Sequence, residues 1–356
     1  MNQIFSERFK SARLLNGLSL QDLADKLENK VSRQALHKYE KGEVVPDSEM
    51  IGLLADALNI RPDYFFRETK VEIGEICFRK LKNLPAKDEN KIVEQTREYL
   101  SRYLELEEII GLQTIYKNPL EEYSEPITCF KEVEKAAVFL RKKWDLGTDP
   151  IYNAVELLED NHIKVVELEE VDGFDGLQTW VNGNIPVIVI NKSRLKKEDR
   201  KRFTVMHELG HLLLTSIKSL PEAQQEKLCH QFAAAMLFPS EAMINELGEK
   251  RNRLLIQELG TLKQQYGISI QAIVMRARDL EIISDNYCKQ FFFYLKQMHW
   301  KVEEPKDYDY EGTERATRFT QLIFRALAEE LISMSKAASL SNQKLAEFRS
   351  ESLMVG

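Results

Sequence analysis

The chain has 356 residues, with 43% hydrophobic and 30% charged side chains, 15 Gly and 10 Pro. That is enough for two or three domains with their own cores, and it excludes a disordered, collagen-like or disulfide-stapled protein. A net charge of -7 argues against broad nucleic-acid coating and leaves room only for a local basic face.

Apolar runs are short, and the start, MNQIFSERFKSARLL, has neither a secretory core nor a cleavage site, so the expectation is a cytoplasmic protein with no membrane partner. Cys77, Cys129, Cys229 and Cys288 contain no CxxC pair, which suits reduced thiols rather than a cysteine metal site.

Residues 4–66 read as five short helices. Ser19 caps a helix over 20–27 with an apolar face of Leu20, Leu23, Ala24 and Leu27; Ser32 caps a second over 33–39. Lys41-Gly42 closes that helix, Asp47 opens one over 48–58, and Pro62 opens a last one ending near Phe66. These make a domain bounded at 1–70.

Residues 71–126 read as a connector: a weak strand over 71–79, then a long helix over 87–110. Its positions 92, 96, 99, 103, 106 and 110 alternate in steps of four and three, a coiled-coil-like seam that either packs on its own chain or joins two copies as a homodimer.

The pattern over 127–283 is α+β. Helices over 131–144 and 151–160 precede strands near 163–168, 177–181 and 186–191, with Asn182-Gly183 as a hairpin turn. Helices over 198–215, 222–238, 254–266 and 269–278 follow. Residues 284–356 read as a helical C-terminal region: an aromatic run, an acidic linker, a helix over 313–333 and a small helical tail.

The chemistry concentrates at His207-Glu208-Leu209-Gly210-His211. At about 100° per residue the two histidines lie about 40° apart on one helix face, one turn from each other, so both imidazoles reach one ion. Such a pair suits Zn²⁺ with an open position for water, and Glu208 beside the pair is the candidate base. The bland alternative, histidines satisfied in a helical core, leaves Glu208 costly to bury.

Downstream candidates for a third ligand are Glu222, Glu226, His230, Glu241 and Glu246. Glu226 and His230 stand one turn apart above the small residues Ala233 and Ala234, so either reads as the ligand and the other as an orienting neighbour. Strand 186–191 reads either as an exposed strand able to accept an extended peptide or as ordinary sheet packing. The seven Lys/Arg of 192–202 read as a solvated helix start or as a substrate- or DNA-facing surface.

VMHELGHLLL followed by EKLCHQFAAAMLFP, preceded by GLQTWVNGNIPVIVINKS and DRKRFT, resembles the ImmA/IrrE family of bacterial metallopeptidases over about 130–280. The resemblance implies a zincin-like, gluzincin-type domain with zinc on His207, His211 and Glu226 and Glu208 as catalytic base. It also implies a protein substrate, a helix-turn-helix repressor or antitoxin whose cleavage releases stress or mobile-element genes. His230 departs from the small polar residue, such as Asn, usual in that family.

SLQDLADKLENKVSRQALHKYEKG is similar to the XRE, lambda-repressor-like helix-turn-helix family over 4–66. That implies double-stranded operator DNA as partner, with Ser32, Arg33, Gln34 and Lys38 on the reading helix and Gln21 touching the backbone. Lys30, Arg33, Lys38 and Lys41 against Glu40 give the local basic face. The alternative is a helix-turn-helix kept to pair with another such domain.

The C-terminal run resembles the helical tail of other fused proteins of this kind, a packing or partner-recognition element. The combined expectation is an all-α helix-turn-helix domain, an α+β zincin-like domain and a helical C-terminal region. It would act as a DNA-binding regulator with zinc metalloendopeptidase activity. The competing expectation is a non-catalytic regulator whose zincin-like domain senses or binds.

Overall fold

The computed structural model describes residues 2–68, 71–74, 84–112, 115–123, 125–169 and 173–352. In α1 (Asn2–Leu15), Phe5, Phe9 and Ala12 recur at helical spacing and are buried. They share a core with Leu23 and Ala24 of α2 (Leu20–Lys26), Leu36 of α3 (Arg33–Glu40) and Leu54 and Ala55 of α4 (Ser48–Ala57).

Local caps fix where these helices begin. The Ser19 hydroxyl accepts the Asp22 N–H at 3.0 Å while the Asp22 carboxylate accepts the Ser19 N–H at 2.8 Å. Ser32 caps α3 through the Ala35 N–H at 3.2 Å, and Asp47 caps α4 through the Met50 N–H at 2.8 Å. The turn Pro62–Phe66 is a 3-10 helix; so short a run closes only i→i+3 bonds.

The strand expected over 71–79 is described only in part: Ile73 forms a single bridge with Val181, and 75–79 lie outside the described residues. α5 (Ala86–Ile110) ends at Gly111, whose φ of 75° is the left-handed stop favoured by glycine. Much of its apolar stripe packs within the chain. Ile92 and Leu100 pack with the sheet, while Tyr103 and Leu106 pack with the C-terminal helices.

α6 (Phe130–Lys143) and α7 (Ala154–Asp160) lead into β1 (Lys164–Leu168), β2 (Gly176–Val181) and β3 (Ile185–Asn191). The sheet order is β1-β3-β2, with β1 and β3 parallel (Lys164 beside Val187) and β2 and β3 antiparallel (Trp180 beside Pro186). Asn182 and Gly183 take φ of 50° and 74° at the hairpin turn.

Of the two readings of 186–191, ordinary sheet packing holds and the exposed strand does not: β3 is the central strand. Its apolar run IPVIVI faces two cores, Ile188 and Ile190 toward the helices of the metal-binding motif, Val187 and Val189 toward α5. The edge nearest the motif belongs to β2.

α8 (Glu198–Leu213) and α9 (Glu222–Leu237) cross below the sheet, followed by α10 (Ser240–Leu247), α11 (Ile256–Tyr266), α12 (Ile270–Asp279) and α13 (Asp285–Gln297). Cys288, Phe291 and Leu295 of α13 join the same core as α8 and α9. α14 (Arg318–Ala328), α15 (Met334–Leu340) and α16 (Leu345–Glu351) form a separate core with α5. Among the described residues, no helix is long and apolar enough to cross a membrane.

The helix expected over 313–333 begins only at Arg318 and breaks after Ala328. The reason is Glu314, which is fully buried: its carboxylate accepts the N–H groups of Ala154 at 2.6 Å and Val155 at 3.1 Å and pairs with Arg202 at 3.3 Å. Reaching those partners keeps the chain extended. The same contacts correct the reading of 192–202 as simply solvated, because Lys201 and Arg202 are buried within this network.

Candidate metal centre

α8 and α9 are drawn together by Gly210: a Cβ there would lie 3.3 Å from Cys229 Cα, Cys229 Cβ and a Phe232 ring carbon. This close crossing sets the Glu226 carboxylate, on the first turns of α9, against the histidine face of α8. His207 Nε2 lies 3.2 Å from Glu226 Oε2, His211 Nε2 lies 3.1 Å from Glu226 Oε1, and the two Nε2 atoms are 3.1 Å apart.

A tetrahedral zinc site with bonds of about 2.0–2.1 Å has ligand-to-ligand edges of about 3.3 Å. The donor set, two imidazole nitrogens and one carboxylate, and its spacing therefore fit a zinc ion. Among the described residues these three form the one group able to hold a metal.

His230 is not in that group. It is exposed at the mouth of the cavity, with its ring 4.2 Å from that of His207 and 5.9 Å from that of Phe203. Glu222, Glu241 and Glu246 are also outside it.

Glu208 is 2% exposed and lines, with His207, Glu226 and His230, a cavity of about 290 Å³. The start of β2 forms its opposite wall. A Cβ on Gly176 would lie 2.7 Å from Thr204 Cγ2, 3.1 Å from Glu208 Cγ and 3.3 Å from Glu208 Oε1. Gly176 thus lets the edge strand close over the candidate base. Sequence reading missed it, although a glycine opening a strand is the available signal for such close approach.

At the rim, Asp175 accepts from Arg194 at 2.7 Å and Arg200 at 2.6 Å. Burial works to raise its carboxyl, but the two arginines prevail and hold it below the ordinary carboxylate range. Beside the first turns of α8, burial pushes the Glu314 carboxyl, from the segment before α14, up to about 7 despite Arg202 and the Val155 and Ala154 N–H groups.

In the N-terminal domain, Arg33, Gln34 and Lys38 are exposed on α3 and Ser32 is exposed at its cap, away from the buried Leu36. Gln21 is exposed on α2 and donates to Asp25 at 2.8 Å. Lys87 of α5 reaches the same end of α2, pairing with Asp22 at 3.6 Å.

No curated protein sequence matches the chain. Two family models do: residues 9–65 match one described as helix-turn-helix, and residues 159–278 match one described as the IrrE N-terminal-like domain. The second match runs from the end of α7 through α12 and contains His207, Glu208, His211 and Glu226. The chain therefore joins an XRE-type, DNA-binding helix-turn-helix domain to a metallopeptidase-like domain of the IrrE N-terminal kind.

Proposed function

We propose that the chain is an operator-binding regulator whose second domain is a zinc-dependent endopeptidase acting on a protein partner, a helix-turn-helix repressor or antitoxin. The observation that carries the reading is the convergence of His207 Nε2, His211 Nε2 and the Glu226 carboxylate at 3.1–3.2 Å beside the buried Glu208. When bound, zinc supplies Lewis acidity to the scissile carbonyl and the attacking water.

The chain's own residues do the rest. The outer edge of β2 near Gly176 lies beside the cavity, and no second strand covers it there among the described residues. An extended substrate segment adds along that edge by backbone hydrogen bonds. The Glu208 carboxylate takes the proton of the attacking water and passes it to the leaving amide nitrogen. In the other domain, Arg33 and Gln34 read base edges, Ser32 and Lys38 flank them, and Gln21 meets the phosphate backbone.

Glu208→Gln keeps the side-chain volume and removes the proton acceptor. Used as bait, that protein should retain a partner that wild type cuts in two; a partner left intact by the zinc-loaded wild type would leave a DNA-binding regulator without proteolysis.

A further inference from the structure

Away from the metal centre, a second cavity of about 590 Å³ opens between the start of α11, α13 and the segment after α13. That volume is within the range of small-molecule sites, about 300–1,000 Å³. Five of its twelve lining residues are aromatic: Tyr287, Phe291 and Tyr294 from α13, Trp300 just beyond, and Tyr308 from the following segment. Tyr294 and Trp300 meet edge to face at 6.0 Å. The Tyr287 ring is pinned, its hydroxyl accepting the Leu254 N–H at 2.9 Å and donating to the Leu254 carbonyl at 3.2 Å.

The charge of the lining is one-sided. No Lys, Arg or His lines the cavity, whereas Asp307 does, exposed and in no ion pair among the described residues. Residues 303–314 carry six acidic side chains against Lys306 alone. Three of them are spent elsewhere: Glu304 on Lys263 at 2.9 Å, Asp309 on Lys197 at 3.0 Å and Glu314 on Arg202 at 3.3 Å.

The positive end of α11 also faces this region, but Glu258 already accepts the Leu255 N–H at 3.3 Å. Aromatic faces with a carboxylate and no competing cation recognise an organic cation, through the ring quadrupoles and the charge together. An anion would meet Asp307 unfavourably, and a neutral ligand would gain at most a hydrogen bond from it, without the charge attraction.

The cavity is also wired to the catalytic helix. Tyr308 sits in a slot that only glycine leaves open, since a Cβ on Gly260 would lie 2.3 Å from its ring. Beyond it, Asp309 pairs with Lys197 at the foot of α8, Tyr310 accepts from the Arg202 guanidinium, and Glu314 pairs with the same arginine. Arg202 stands five residues before His207 on that helix.

We propose that this cavity is an effector site for a small organic cation of the quaternary or alkyl ammonium class, whose binding braces Asp307 and Tyr308 and so holds segment 303–314 against α8. The site stands whether or not the metal centre turns over.

Calorimetric titration of the full chain with choline as probe, against its uncharged isostere 3,3-dimethylbutan-1-ol, tests the recognition. Choline should bind saturably and the isostere about tenfold more weakly, and the surface change Asp307→Asn and the wall change Trp300→Leu should each weaken choline by at least about threefold. Hydrogen exchange on the same samples should slow in 306–316 and in the first turns of α8 when choline is present. Equal binding of the isostere, absence of saturable binding at millimolar choline, or indifference to both substitutions would overturn the cation site. Unchanged exchange in the segment would overturn the link to α8.

Discussion

Gly176→Ala is the sharpest perturbation of the site that touches none of the metal donors. The new methyl would fall 2.7 Å from Thr204 Cγ2 and 3.1 Å from Glu208 Cγ. Normal carbon contacts are about 3.5–4.0 Å, so roughly 1 Å of overlap must be relieved. Thr204 cannot swing away cheaply, because a β-branched side chain on a helix has one or two allowed rotamers. β2 is held by its register with β3 from Gly176 to Val181.

Overpacking of this kind costs about 1–3 kcal/mol. Urea unfolding should therefore show a lower midpoint at unchanged slope. Thr204→Ser removes the 2.7 Å contact, so the double variant should recover most of the loss. Zinc content should stay near wild type, whereas peptide cleavage should fall by about 10²-fold if Glu208 is displaced by roughly 1 Å. A Gly176→Ala protein with wild-type midpoint and wild-type cleavage would refute the close approach of β2 to the candidate base.

Further expectations follow from the same geometry. By elemental analysis, His207→Ala, His211→Ala and Glu226→Ala should each lose zinc while His230→Ala keeps it; loss in the last alone would exchange the third donor. Glu314 and Glu159 are both raised by burial from 4.5 to about 7, so their contribution to stability is complete below the unfolded value and is lost as pH rises through about 7. For each, the gap corresponds to roughly 3 kcal/mol, and Glu314→Gln should remove about half of the fall in urea midpoint between pH 5.5 and 8; an unchanged pH profile would contradict the burial argument. In binding assays on random duplex pools at fixed salt, Arg33→Ala or Gln34→Ala should cost about 1–3 kcal/mol and relax preference at one base pair. Lys38→Ala should weaken all sequences alike and lower the salt slope by about 1; full retention of sequence preference in an Arg33→Ala/Gln34→Ala protein would remove α3 as the reader.

What could be read in the chain beforehand was local. Ser19, Ser32 and Asp47 announce helix starts because each cap bonds a backbone N–H only three residues on. The convergence of His207 and His211 follows from helical periodicity alone, and the small residues Ala233 and Ala234 on α9 point to a close neighbour. What escaped depended on pairing across long stretches of sequence. That β3 is central and β2 is the edge is decided by β1, which arrives in parallel from the far side, although the continuous apolar run of β3 carried the hint of burial on both faces. Lys201 and Arg202 looked like a solvated basic run because their buried partner, Glu314, comes from a segment more than a hundred residues later. That same partner held 313–317 out of the helix its composition suggested. The stripe on α5 was legible as apolar, but which surface would cover it was not, since sheet and C-terminal helices share it.

The most direct measurement is zinc-edge anomalous scattering from crystals of the full chain grown with zinc. One peak should appear per chain within about 2.0–2.2 Å of His207 Nε2, His211 Nε2 and a Glu226 oxygen, with Glu208 uncoordinated beside it. A peak bound through His230 instead of Glu226, coordination by Glu208, or no peak between α8 and α9 would contradict the proposed metal centre.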